Sequence, residues 1–352
     1  MDLIDLARGH PQGPPPQGAV DAARAILPAG ASSYTDPLGL PALRQAAAAT
    51  LQEQLGRTFD PRSEIAVTTG ASGGLMACIQ AFSSTGDPVG VPDPGWPGFR
   101  AAVVASGRHP VAWPPTPDPS APASPSPRLM LLASPDNPTG RQIDPADLQR
   151  LQALAAAQPK LVIVVDETYR DLVYDGAPVR SPASSSALAR HTVALRSFSK
   201  SHAMAGWRVG YLAAPAHLAA RVMPILRASH ACASTMAQQA ASWILRSGQD
   251  ATRSARTRRQ ASRDRLLKGL GAVPGLAVPP CEGGLYLFPW VGGSSEACAQ
   301  ALERGAGVLV LPGTRFGLQC EGHIRICFDR EDAVLDRAIE RMGPVLRRWT
   351  SA

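Results

Sequence analysis

The stretch LVIVVDETY, from Leu161 to Tyr169, is apolar at each of its first five positions and then turns polar. A half-exposed strand alternates apolar and polar residues, whereas an unbroken aliphatic run is a strand covered on both faces, as in the middle of a parallel sheet sandwiched by helices. Asp166 ends that run. In an open parallel sheet, ligands sit beyond the carboxyl ends of the strands, so the residues that follow such runs are the ones to examine. A carboxylate emerging from so apolar a strand needs a partner or a shifted pKa.

Outward from this strand the same grammar repeats. IAVTTG, RLMLLA, TVALRSFSK and WRVGYLAA read as further strands, with helical patterns between them from about residue 40 to 230, which predicts βαβ units and an α/β fold. One helix starts at Pro41 and stops at Gly56. The Pro/Ser-rich segment 110–128 sustains neither helix nor inner strand and reads as a surface crossing between two strands. Beyond the Arg-rich helix TRSARTRRQASRDRLLKGL come EGGLYLFPW, GVLVLPG and HIRICFD, which suit a smaller α+β domain. The expected division is a large α/β domain at 31–245, and a small domain made of 1–30 with 246–352.

Composition narrows the function. Of 352 residues 45% are hydrophobic and 18% charged, and no apolar run is long enough to cross a membrane. The opening MDLIDLARGH lacks a basic region followed by an apolar stretch, so no signal peptide is expected and the cytoplasm is the default location. The six cysteines form no CxxC pair, which argues against zinc and disulfides; no metal site is expected. Only three of the 35 basic residues behind the net charge of +7 are lysines, and no aromatic residues interleave the Arg-rich helix. That helix reads as a solvated connector, and no nucleic-acid partner is expected.

The strand ends form a consistent set. Gly70, Ala71 and Ser72 open a helix after IAV, so their amides suit a phosphate. Asn137 sits in a turn between Pro135 and Pro138, and Tyr169 lies three residues past Asp166. SFSKSHAMAGWRVG brings Ser197, Lys200 and Arg208. Lys160 precedes a strand in a polar turn and Lys268 lies in the Arg-rich helix, so Lys200 alone sits at a strand end among small residues. A desolvated lysine near another cation becomes a nucleophilic amine.

Together YTDPLG, TTGAS, NPTG, DETY, SFSK with GWR, and HIR resemble the class I/II aminotransferases of fold type I, in family order from about residue 4 to the last helix. The resemblance implies a mostly parallel central sheet between helices, a smaller α+β domain, and pyridoxal 5'-phosphate held by Lys200 as a Schiff base. It implies that Asp166 pairs with the ring nitrogen and that Asn137 and Tyr169 bond the ring hydroxyl. Ser197, Arg208 and residues 70–72 would hold the phosphate, Trp96 would stack on the ring with Phe99 nearby, and Arg325 with Asn137 would bind the substrate carboxylate. Tyr34 matches a tyrosine that reaches the neighbouring subunit's phosphate, implying a homodimer. The implied reaction moves an amino group between an L-amino acid and a 2-oxo acid. The same ring-holding residues also serve lyases, decarboxylases and oxidases. An aminotransferase-like half of a transcription regulator is disfavoured, because the pattern begins almost at Met1. His10 is a candidate for selecting an acidic or polar side chain if it lines the pocket.

Overall fold

The run Val162–Asp166 lies near the middle of a seven-stranded sheet in the computed structural model, which describes residues 2–28, 33–113 and 127–351. The chain starts with strand β1 (Ile4–Asp5), helices α1 (Gln17–Arg24) and α2 (Pro41–Leu55), strand β2 (Ile65–Thr68) and helix α3 (Gly70–Phe82). It continues through β3 (Pro88–Pro92), α4 (Pro97–Ala105), β4 (His109–Trp113), β5 (Leu129–Ala133), α5 (Pro145–Ala157), β6 (Val162–Asp166), β7 (Thr192–Ser197) and β8 (Gly210–Ala213). Then come α6 (Ala216–His230), α7 (Thr235–Ser247), α8 (Gln249–Gly271), β9 (Tyr286–Leu287), α9 (Ser295–Ala306), β10 (Val308–Leu309), β11 (Leu311–Pro312), β12 (Ile324–Cys327) and α10 (Asp332–Thr350).

The large sheet runs β2-β8-β7-β6-β5-β3-β4, and β8 alone runs opposite to the other six strands. Its reversal follows from the link after β7, a loop with one short 3-10 turn and no crossover helix to carry the chain back. Val162 to Val165 are at most 4% exposed, as a strand covered on both faces requires. One face packs on α2, α5 and α7, with Leu43, Leu51, Leu151 and Ile244 against Ile163 and Val165. The other packs on α3, α4 and α6, with Leu75, Phe99 and Leu226 against Val162 and Val164. Pro110 is tolerated because β4 is the edge strand. Most of the Pro/Ser-rich segment that follows lies outside the described residues.

A separate core gathers Leu266, Leu287, Leu302, Ile324, Phe328 and Leu346 from α8, α9, α10 and the antiparallel set β11-β12-β9. The N-terminal residues divide between the cores. Ile4 and Leu6 join this second one, where β1 pairs in parallel with β10, while Ala19 and Ala23 of α1 sit in the sheet core against α7. Among the described residues no helix is long and apolar enough to cross a membrane.

Candidate active site

A cavity of about 350 Å³ opens at the carboxyl ends of β5, β6 and β7, beside the start of α3. Strand alternation sorts its floor. Asp166 faces the cavity, while Glu167 points into the opposite side of the loop layer and pairs there with Arg196 at 2.7 Å. Asp166 Oδ1 accepts hydrogen bonds from the Thr168 amide at 2.9 Å and the Thr168 hydroxyl at 2.5 Å. Desolvation nevertheless raises its pKa, against those bonds and the attraction of Lys200, and among the described residues no cation forms an ion pair with it.

On the side of α3 the backbone is shaped for an anion. Gly70 has φ +76°, which an L side chain would strain, and a Cβ there would stand 2.8 Å from Arg208 Nη2 and displace that guanidinium. Thr69 makes no side-chain cap, which leaves the first-turn amides of α3 to another acceptor. Arg208 itself adopts a left-handed φ of 54° and is steadied by the carbonyls of Ala205 at 2.9 Å and Thr69 at 3.3 Å. Such backbone is held only where its surroundings over-determine it. Ser197 donates to the Ser199 hydroxyl at 2.9 Å on the same rim.

Opposite stands Arg325, 6% exposed although it is ionic. Its guanidinium lies 4.0 Å from the Tyr286 ring centroid and 4.7 Å from that of Phe316. It donates to Asn137 Oδ1 at 2.9 Å and to the Ala7 carbonyl at 2.6 Å, while its buried Nε has no partner. Lys200 Nζ donates to the Gly9 carbonyl at 2.6 Å. Burial lowers the Lys200 pKa, helped by the Arg325 and Arg208 charges, so a larger share of its amine is neutral and basic. The Tyr169 and Tyr286 hydroxyls are 3.3 Å apart, and burial raises the pKa of Tyr169.

Of the residues singled out from sequence, Ala71, Ser72, Trp96, Phe99, Asn137, Asp166, Tyr169, Ser197, Lys200, Arg208 and Arg325 line this one cavity. Gly70 lies against the guanidinium of Arg208 just behind it. Trp96 and Phe99 meet edge to face, with centroids 5.6 Å apart. Tyr34 does not join them: it is 86% exposed. His10 does not meet the condition for a role in the pocket: its exposed side chain lies outside the cavity, in a depression with Arg8, Arg330 and Arg337, as a surface residue. Gly9, Thr168, Ser199 and Tyr286 line the cavity without having been singled out. GGLYLF read only as a strand, and a carbonyl such as that of Gly9 has no signature in a sequence.

The set fits a phosphorylated pyridine. Asp166 lacks a cation such as a protonated ring nitrogen would provide, and the uncapped α3 start with Arg208 offers donors to a phosphate. Lys200 is the only lysine lining the cavity among the described residues. Comparison with known proteins agrees. A family model for aminotransferase class I and II matches residues 1–342. The aspartate aminotransferase of Pyrococcus abyssi is 31% identical over 360 residues, covering 98% of this chain and 92% of that protein. Aromatic-amino-acid aminotransferase 2 of Thermococcus litoralis is 30% identical, with coverage of 98% and 92%. The crystal structure of an aromatic aminotransferase from Pyrococcus horikoshii superposes with a TM-score of 0.90 at 30% identity, covering 99% of this chain and 96% of that one.

Proposed function

The chain belongs to the class I and II aminotransferases, pyridoxal-phosphate enzymes that move an amino group between an amino acid and a 2-oxo acid, and we propose that Lys200 is the amine that performs this chemistry. The observation that carries the assignment is the convergence of Lys200, Asp166 and Arg325 on one cavity of about 350 Å³. When bound, the cofactor supplies a sink for the electrons left at the substrate Cα as its proton departs. The protein's residues do the rest. Asp166 keeps the ring nitrogen protonated, and Asn137 and Tyr169 bond the ring hydroxyl. Gly70, Ala71 and Ser72 offer amides to the phosphate, joined by Ser197 and Arg208, while Trp96 covers the ring.

Arg325 receives the substrate α-carboxylate on its planar fork, sharing Asn137. The amine of Lys200, with its pKa lowered by burial, is placed to take the Cα proton as general base and, as the acid so formed, to return it across the amino nitrogen to the carbon two atoms from Cα. A site that grips the carboxylate is built to keep it, which argues against decarboxylation. The two cores support a division near residue 245, with Ile4 and Leu6 in the smaller unit; α1 packs on the larger unit, so the expected assignment of all of 1–30 to the smaller one is not supported. The exposed Tyr34 ring is proposed to reach the phosphate in a second copy of the chain, making a homodimer with shared sites.

The test is a visible spectrum of the purified protein, followed by borohydride reduction and peptide mapping. The label is expected on Lys200, and the absorbance band is expected to bleach with an amino acid as 2-oxo acid is released. Label elsewhere, or a Lys200→Ala protein to which borohydride still fixes the cofactor covalently, overturns the assignment.

A further inference from the structure

Residues Asp5 to Gln12 run past the cavity, which Gly9 lines, and among the described residues every hydrogen bond that reaches this strap from the rest of the chain falls on its backbone. On its inner side the carbonyls of Ala7 and Gly9 accept from Arg325 and Lys200, both at 2.6 Å. Leu6 is held by backbone bonds with Leu309 and Cys327 and the Gln12 carbonyl by Arg258 at 3.2 Å, while between them Arg330 donates from Nε to the Asp5 carbonyl at 2.9 Å and from Nη2 to the Arg8 carbonyl at 2.8 Å. Its Nη1 reaches the His10 carbonyl at 3.5 Å and the Asp329 carbonyl at 2.8 Å. Asp329, wholly buried, then takes the Gln12 amide at 3.1 Å and ties it to Arg259 of α8 at 3.0 Å.

We propose that Arg330 is a positioning residue for the reaction: it holds the strap in the one register that points the Ala7 and Gly9 carbonyls at Arg325 and Lys200. The inference rests on the roles assigned to those two residues above. No carboxylate pairs with Arg330 among the described residues, so its guanidinium acts as a planar, multi-pronged donor to neutral carbonyls, a task a lysine ammonium performs at one point only. The register has little slack. Gly9 lies so close to Tyr286 that a Cβ would fall 1.6 Å from the tyrosine hydroxyl, so a slip of the strap drives backbone into a side chain that touches Arg325 and Tyr169. Whenever the Lys200 amine is free, the Gly9 carbonyl takes one N–H and fixes where the remaining hydrogens and lone pair point.

Holoenzyme carrying Arg330→Gln is compared with wild type and Arg330→Lys by steady-state kinetics, and by amide hydrogen exchange over residues 5–12 with and without cofactor. Losing donors to these carbonyls is expected to raise KM for the amino donor about tenfold while kcat falls no more than about threefold, and to speed strap exchange in both forms. Arg330→Lys restores part of each. A merely structural role lowers the active fraction, and thus kcat, at constant KM. Faster exchange with unchanged KM, or unchanged exchange, overturns the proposal, and if Arg330→Gln fails to fold, Arg330→Lys is read by the same criteria. The exchange arm without cofactor stands apart from the Lys200 assignment: misplaced borohydride label sinks that reading, whereas normal strap exchange in the variant sinks this one.

Discussion

The floor of the cavity and the strap that runs past it meet the same space by opposite means. The floor presents side chains at or just beyond strand ends: Asp166 ends β6, and Asn137 and Lys200 follow β5 and β7 in the loops, below which the strands are buried on both faces. The strap presents backbone: its inner carbonyls serve Arg325 and Lys200, and β1 anchors it by a two-residue pairing with β10. A side chain on a central strand is held by the whole sheet core. A carbonyl on a strap is held only by the few groups that grip it, so the aim of this side of the site depends on those groups. The floor sets the chemistry and the strap sets how well the reacting groups are aimed.

The comparison is tested most severely on the floor. Lys200→Ala removes the amine that moves the proton, and kcat is expected to fall by about 10³-fold or more, in the range of general acid–base contributions. A variant within tenfold of wild type places the base elsewhere. Arg325 belongs to both halves, since it stands on β12 and leans on the strap. Arg325→Ala leaves a substrate carboxylate unpaired and is expected to lower kcat/KM by about a hundredfold, with Asn137 and the Ala7 carbonyl also losing a donor. A loss confined to kcat, with KM unchanged, contradicts a carboxylate grip.

The two halves were also unequally legible. LVIVV announced a central strand and so put Asp166 at its end, and the scarcity of lysines singled out Lys200 before any relative was considered. Those readings work because a side chain at a strand end has its chemistry written in its identity. Ala7 and Gly9 act through carbonyls that every residue possesses, so nothing in ARGHP marks them. Tyr286 read as a strand aromatic, and only the fold brings it to 4.0 Å from Arg325. At His10 the same limit shows: its neighbour's backbone faces the site while its own side chain faces solvent. The place of α1 was hidden as well, because the two alanines that dock it in the sheet core, Ala19 and Ala23, carry too little apolar surface to announce a partner.

The strap's tight register predicts a smaller but diagnostic effect. In Gly9→Ala the added methyl collides with Tyr286, and overpacking of this kind costs about 1–3 kcal/mol. KM should rise, about tenfold, as the Lys200 and Arg325 acceptors shift. Tyr286→Ala in the Gly9→Ala background clears the collision, so the double variant is expected to be less impaired than the sum of the two singles. Strict additivity in the double-mutant cycle contradicts the contact.

At the small end lies Asp136, next to Asn137 on the floor but turned away from the chemistry. Burial raises its carboxyl to about 7, against hydrogen bonds from Thr139, and its Oδ1 is buried without a partner. The sign follows from proton counts. Between the ordinary value of 3.8 and about 7 the native state keeps a proton that the unfolded chain has released, so stability falls as pH rises through that window. Asp136→Asn has no proton to lose, so its stability lacks this decline: it gains on wild type from pH 5 to pH 8 in chemical denaturation. Turnover should scarcely change, since Asn still accepts from Thr139 and Asn137 keeps its place. A stability difference that stays constant with pH shows that Asp136 is already ionised in the native protein. A large loss of kcat in this variant would instead make Asp136 part of the chemistry, and the floor would then depend on a residue behind it as the strap depends on Arg330.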